Sequence, residues 1–183
     1  MLLVLTMALG LVACGNNGGA ETTTTAPAPV AASALEILET VWGSYADDEK
    51  FFAMGGDMNN MVDNAPGAYS LEDEGLTATL LVPTEQIANI DEAASLVHGM
   101  MLNNFTCGAY HVTGDVNAFA EAMYGAISTN PWMCGQPEKL IVAVIGEYVV
   151  ALFGINDAVN PFEAKLKEAY PSANLVHNEA IAG

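Results

Sequence analysis

Arginine is absent from this 183-residue chain, and only four lysines stand against 22 acidic residues, for a formal net charge of −18. That deficit excludes nucleic acid as a ligand, because neutralising phosphates takes clusters of Lys and Arg. It also argues against anionic ligands gripped by a bidentate guanidinium. There are three cysteines and none forms a C-x-x-C pair, so a thioredoxin-like redox role has no support. No Gly-x-Ser-x-Gly, His-Glu-x-x-His or phosphate-cradling glycine loop is present, and no catalytic residue is assigned. The acidic runs Asp47-Asp48-Glu49 and Glu72-Asp73-Glu74 are contiguous rather than spaced around an ion, and neither fits an EF-hand loop. They read as solvated loops or helix ends.

What is present begins with an apolar run, Leu2 to Leu11. It is about ten residues long, half of the roughly 20 that a membrane-crossing helix needs. It leads into Leu11-Val12-Ala13-Cys14, which resembles the lipobox of a bacterial lipoprotein signal peptide. The resemblance implies removal of residues 1–13, diacylglyceryl modification of Cys14, and a protein lipid-anchored to the outer face of the cell membrane. Two acyl chains hold stably where one holds only marginally. A signal peptide opens on basic residues, yet no Lys or Arg precedes Lys50. The expectation is that Met1 is internal and that a Lys-rich stretch lies upstream. Residues 14–32, rich in Thr, Pro and Gly, bury too little to fold and read as a tether of at most roughly 60 Å.

Residues 33–183 have the size of one domain. Ser33-Ala34-Leu35-Glu36 has the form of a capping box. The helix it starts carries Leu35, Leu38, Val41, Trp42 and Tyr45 as its apolar stripe. Residues 51–76, broken by Gly55-Gly56, Asn59-Asn60 and Ala65-Pro66-Gly67, read as a long irregular region with a short helical turn. A hairpin is expected from Leu96–Met101 and Thr106–Val112 around Asn103-Asn104. Val116, Phe119, Ala120, Met123, Tyr124 and Ile127 give the strongest helical period, bounded by Pro131. A second hairpin joins residues 139–145 and 148–153 through Gly146-Glu147. Asn160-Pro161-Phe162-Glu163 predicts a helix with Asn160 as cap and Pro161 at its first position. Leu175 to Ile181 reads as an edge strand. The sum is an α+β fold, an antiparallel sheet from two hairpins packed against about three helices. The block from Thr106 to Tyr170, with Gly108-Ala109-Tyr110-His111-Val112 and Gly146-Glu147-Tyr148-Val149-Val150, resembles small uncharacterised lipoproteins of anaerobic Gram-positive bacteria. That family carries no established activity.

Once Cys14 is lipidated, Cys107 and Cys134 remain, and an extracytoplasmic compartment permits a disulfide between them. A turn at Asn103-Asn104 pairs Met100 with Cys107 and His98 with Ala109. It thereby gathers His98, Met100, Cys107 and His111 on one face. These are soft-metal ligands, and with Met54, Met58, Met61 and Met133 nearby in sequence they make copper or zinc binding one reading, while core filling is the plainer one. Trp42, Tyr69, Tyr110 and Trp132 are candidates to line a small-ligand cleft. The leading expectation is a membrane-anchored, non-catalytic binding or interaction module without a cofactor. A metal-binding lipoprotein and an enzyme of unrecognised type are the alternatives.

Overall fold

A computed structural model describes residues 31–133 and 135–181. The signal peptide, Cys14, nearly all of the tether and Cys134 lie outside the described residues. Helix α1 (Ala34–Gly43) begins where the capping box places it. Ser33 Oγ accepts from the Glu36 N–H at 3.0 Å, and the Glu36 carboxylate accepts from the Ala32 N–H at 3.1 Å. The short strands β1 (Ala53–Gly55), β2 (Val62–Asp63) and β3 (Gly67–Ala68) follow, and then a single turn of helix, α2 (Gly75–Ala78). Next come β4 (Ile90–His98), β5 (Phe105–Val112), α3 (Val116–Ser128), β6 (Lys139–Ile145), β7 (Tyr148–Gly154), α4 (Asn156–Ala169) and β8 (Asn174–Ala180).

All pairings are antiparallel and build one eight-stranded sheet in the order β2-β1-β4-β5-β7-β6-β8, with β3 also paired to β4. Successive side chains on a strand point to opposite faces, so each strand feeds two cores. On one face, Leu96, Phe105, Cys107, Ile141 and Leu152 pack against Ile37, Leu38 and Val41 of α1 and Phe162 and Leu166 of α4. On the other, Ala93, Tyr110, Val142 and Val149 meet Phe119, Met123 and Ile127 of α3 together with Leu76 and Leu80. Burial on both faces is why β5, β6 and β7 read as continuous apolar runs rather than alternating ones. The fold is α+β, with three α-helices of ten residues or more packed on a wholly antiparallel sheet.

The β6–β7 hairpin has the expected two-residue turn, with Ile145 paired to Tyr148 and a φ of +60° at Gly146. Three expectations are corrected. Residues 51–76 are not simply irregular, since they contain β1, β2 and β3, each too short to show a period of two. Helix α4 begins at Asn156 rather than after Asn160, leaving Pro161 inside it. Its first N–H, that of Asn156, donates at 2.8 Å to the carboxylate of Glu138, a cap supplied from 18 residues away that no local motif reveals. Strand β4 begins at Ile90 and ends at His98, and the β4–β5 connection is not a tight turn at Asn103-Asn104. His98 Nδ1 accepts from the N–H groups of Met100 and Met101, and a 3-10 turn spans Leu102–Asn104. The pairing therefore moves by four residues, putting Leu96 rather than Met100 opposite Cys107. An even shift keeps each side chain on its face but relocates its neighbours.

Candidate functional cleft

On the face that carries α3, that helix packs over β6 and β7, while beside β1 the single turn α2 contributes to a cleft wall. There a cleft of about 710 Å³ opens, a volume suited to a small ligand or a few side chains. Met54 and Val97, register partners on β1 and β4, are half-buried and form part of its lining. Met58, Met61 and Leu102 line it as well, with exposures of 76%, 57% and 44%. Tyr69, Ser70, Glu72, Asp73 and Glu74 complete the polar wall.

Glycines shape this end of the molecule. A Cβ on Gly55 would sit 2.2 Å from the Gly67 amide nitrogen, and one on Gly67 would sit 2.5 Å from that of Gly56. Only bare backbone lets β1 and β3 approach so closely. Asp57 then ties the loop down. It is 3% exposed, and its Oδ1 accepts from the N–H groups of Asn59 at 2.8 Å and Asn60 at 3.0 Å. Its Oδ2 accepts from the Ser70 N–H at 3.0 Å, joining the methionine-bearing loop to the acidic segment. The Asn59 amide bond is the largest influence holding this carboxyl below the usual range, against the upward push of burial. Asp73 accepts from the Gly75 N–H at 2.7 Å at the start of α2. The Tyr69 phenol is raised to about 12, by burial first and then by the negative charge of Asp73 and Asp57. It stays protonated near neutrality and acts as a hydrogen-bonding group rather than a base.

The chain's four lysines are all engaged elsewhere. Lys139 and Lys167 pair with Glu163 of α4, Lys165 with Glu49, and Lys50 with Asp47. Among the described residues, Glu72, Asp73 and Glu74 have no cationic partner within ion-pair distance. With no arginine in the chain, the wall they form is an uncompensated anionic surface beside an apolar one.

The residues singled out as soft-metal ligands do not converge. His98 stacks on Phe51 with ring centroids 5.5 Å apart at one end of the β4–β5 ladder. His111 pairs with Asp91 and Glu147 and meets Tyr148 at the other end. Six residue positions, roughly 20 Å along a strand, separate the two. Met100 is 81% exposed beyond the end of β4. Cys107 is fully buried with a free thiol, which burial pushes well up and away from the thiolate that binds soft metals. Among the described residues, no three His, Cys, Asp or Glu side chains are grouped to hold a metal ion. The disulfide expectation involves Cys134, which lies outside the described residues. Of the four aromatics considered for a cleft, Tyr69 lines it. Trp42 and Tyr110 are buried, and Trp132 packs on Phe153 at 4.8 Å.

Sequence reasoning singled out the methionines but not the cleft they border. The usable signal was Gly55-Gly56 and Pro66-Gly67 flanking exposed Met58 and Met61, an irregular stretch whose glycines mark close backbone contact rather than slack. No known protein family, curated protein or solved structure matches this chain.

Proposed function

We propose that this protein is a lipid-anchored extracytoplasmic lipoprotein acting as a small, non-catalytic binding module, with the cleft beside β1 as its ligand site. The observation that carries the reading is the unfilled end of the sheet, where a cleft of about 710 Å³ has methionines on one wall and carboxylates on the other. Globular proteins rarely leave contiguous large apolar side chains in water without a use for them. Methionine's flexible, polarisable side chain suits a surface that must mould itself to an incoming group. The anchoring half of the proposal rests on Leu11-Val12-Ala13-Cys14. No helix among the described residues is long and apolar enough to cross a membrane. The chain between Cys14 and Ser33 spans at most roughly 60 Å, enough to hold the cleft clear of a lipid surface.

Each half has its own experiment. Cys14→Ser in the full-length protein is expected to release it from the membrane fraction and abolish labelling by radioactive fatty acid. Retention with undiminished labelling would remove the anchor. A fragment screen on the full chain, read by methyl spectra of labelled methionines, is expected to perturb Met54, Met58 and Met61. Hits confined to other methionines would remove the cleft.

A further inference from the structure

We propose that the occupant of this cleft is a cationic segment of a partner protein in which lysine or arginine alternates with large apolar side chains. This deepens the reading of the cleft as a ligand site and rests on it. Charge complementarity supplies the first reason. Glu72, Asp73 and Glu74 border the cleft with no lysine near them, because all four lysines are paired on the α1–α4 side of the molecule. A protein of net charge −18 that keeps every cation away from one concave surface leaves a field there that only a positive ligand relieves.

The second reason is the apolar half of the site. Met58 and Met61 stand 76% and 57% exposed, so the ligand must bring apolar surface as well as charge, which a small hydrated cation does not. The third is extent. Exposed apolar side chains continue from Leu102 of the cleft into the β4–β5 connection, where Met101 and Met100 are 47% and 81% exposed. Phe52, 49% exposed, is held there by the Gly99 N–H donating to its carbonyl. Asn103, next to Leu102 in the same connection, donates to the carbonyl of Met133, itself 79% exposed. A surface continuing beyond the cleft fits a peptide chain better than a compact small molecule. A second copy of this chain is disfavoured by the same charge that attracts a basic segment.

The test uses the full chain and a short synthetic peptide of alternating lysine and leucine, with two controls. One replaces leucine by serine and the other replaces lysine by serine. The lysine–leucine peptide is expected to bind, to weaken with added salt, and to bind more weakly than the parent by about tenfold or more to Met58→Ser/Met61→Ser and to Glu72→Gln/Glu74→Gln. A matched change of the same net charge on the far helices, Glu39→Gln/Glu168→Gln, is expected to alter affinity by less than about twofold. Equal weakening by both pairs of charge changes would mean that the peptide senses only overall charge, overturning the assignment to the cleft. Binding by the serine–leucine peptide in place of the lysine–leucine one would overturn the cationic class while leaving the cleft as a ligand site. Failure of every peptide overturns the peptide assignment. The fragment screen then tells separately whether the cleft itself binds anything.

Discussion

On the face of the sheet covered by α1 and α4, the rings of Phe51, Phe105 and Phe162 pack in series, tilted against one another at centroid distances of 5.1 and 5.3 Å, and the lysines close the surface with ion pairs. At the β1 end of the opposite face, Met54 and Val97 stay half-buried in the lining of the cleft, and the charged side chains that line it with them are all acidic. The same sheet supports both. The difference shows where the chain satisfies its own surface and where it leaves that surface for something else.

The comparison breaks most sharply on Phe105→Ala, which removes a fully buried ring from the closed face. It should cost about 3–5 kcal/mol by urea unfolding, and a loss below about 1 kcal/mol would mean that this core is not packed as described. Asp57→Ala comes next, at about 2–3 kcal/mol, since it strands the donors of Asn59, Asn60 and Ser70 in a nearly buried site. Because the folded Asp57 pKa lies below its ordinary 3.8, the stabilisation is present above that value and is lost as pH falls through the folded one. The Ala variant should lack this acid limb in a stability-versus-pH series.

Glu163→Gln is expected to cost roughly 1–2 kcal/mol, because it leaves Lys139 without its ionic partner in a mostly covered position. Burial pushes the Glu163 carboxyl up, but the bonds and charges of Lys139 and Lys167 outweigh it and bring it below 4.5. Its contribution therefore also holds above 4.5 and fades as pH falls through the folded value. The sign reverses at His111. The Asp91 hydrogen bond raises its pKa above 6.5 against the opposing effect of burial, with further help from the charges of Asp91, Glu147 and Glu92. That stabilisation is complete below 6.5 and is lost as pH rises through the folded value. His111→Gln should flatten a slope worth less than about 1 kcal/mol. Smallest of all, Met58→Ser/Met61→Ser on the open face should change stability by no more than about 0.5 kcal/mol. A large loss there would make these methionines part of the core rather than of a ligand site.

Much of the framework was legible because its signals are local. Ser33 and Glu36 mark the start of α1, the spacing from Val116 to Ile127 marks α3, and Gly146 marks the β6–β7 turn. The parts that escaped depend on partners distant in sequence. Glu138 caps α4, and His98 folds the β4–β5 connection back on itself, shifting the register by four. The proposed metal set depended on that register and separated with it. The cleft was illegible for a related reason. It exists because Gly55 and Gly67 touch and because Asp57 reaches Ser70, both of them contacts between segments rather than patterns within one.

The central claim, that the β1 end is open in order to bind, is tested most directly by following the labelled methionine methyls while the lysine–leucine peptide is added to the full chain. Saturable shifts are expected at Met54, Met58 and Met61 and none at Met123, which α3 carries and buries against the same face of the sheet. Saturable shifts that leave all three cleft methionines unmoved would contradict it.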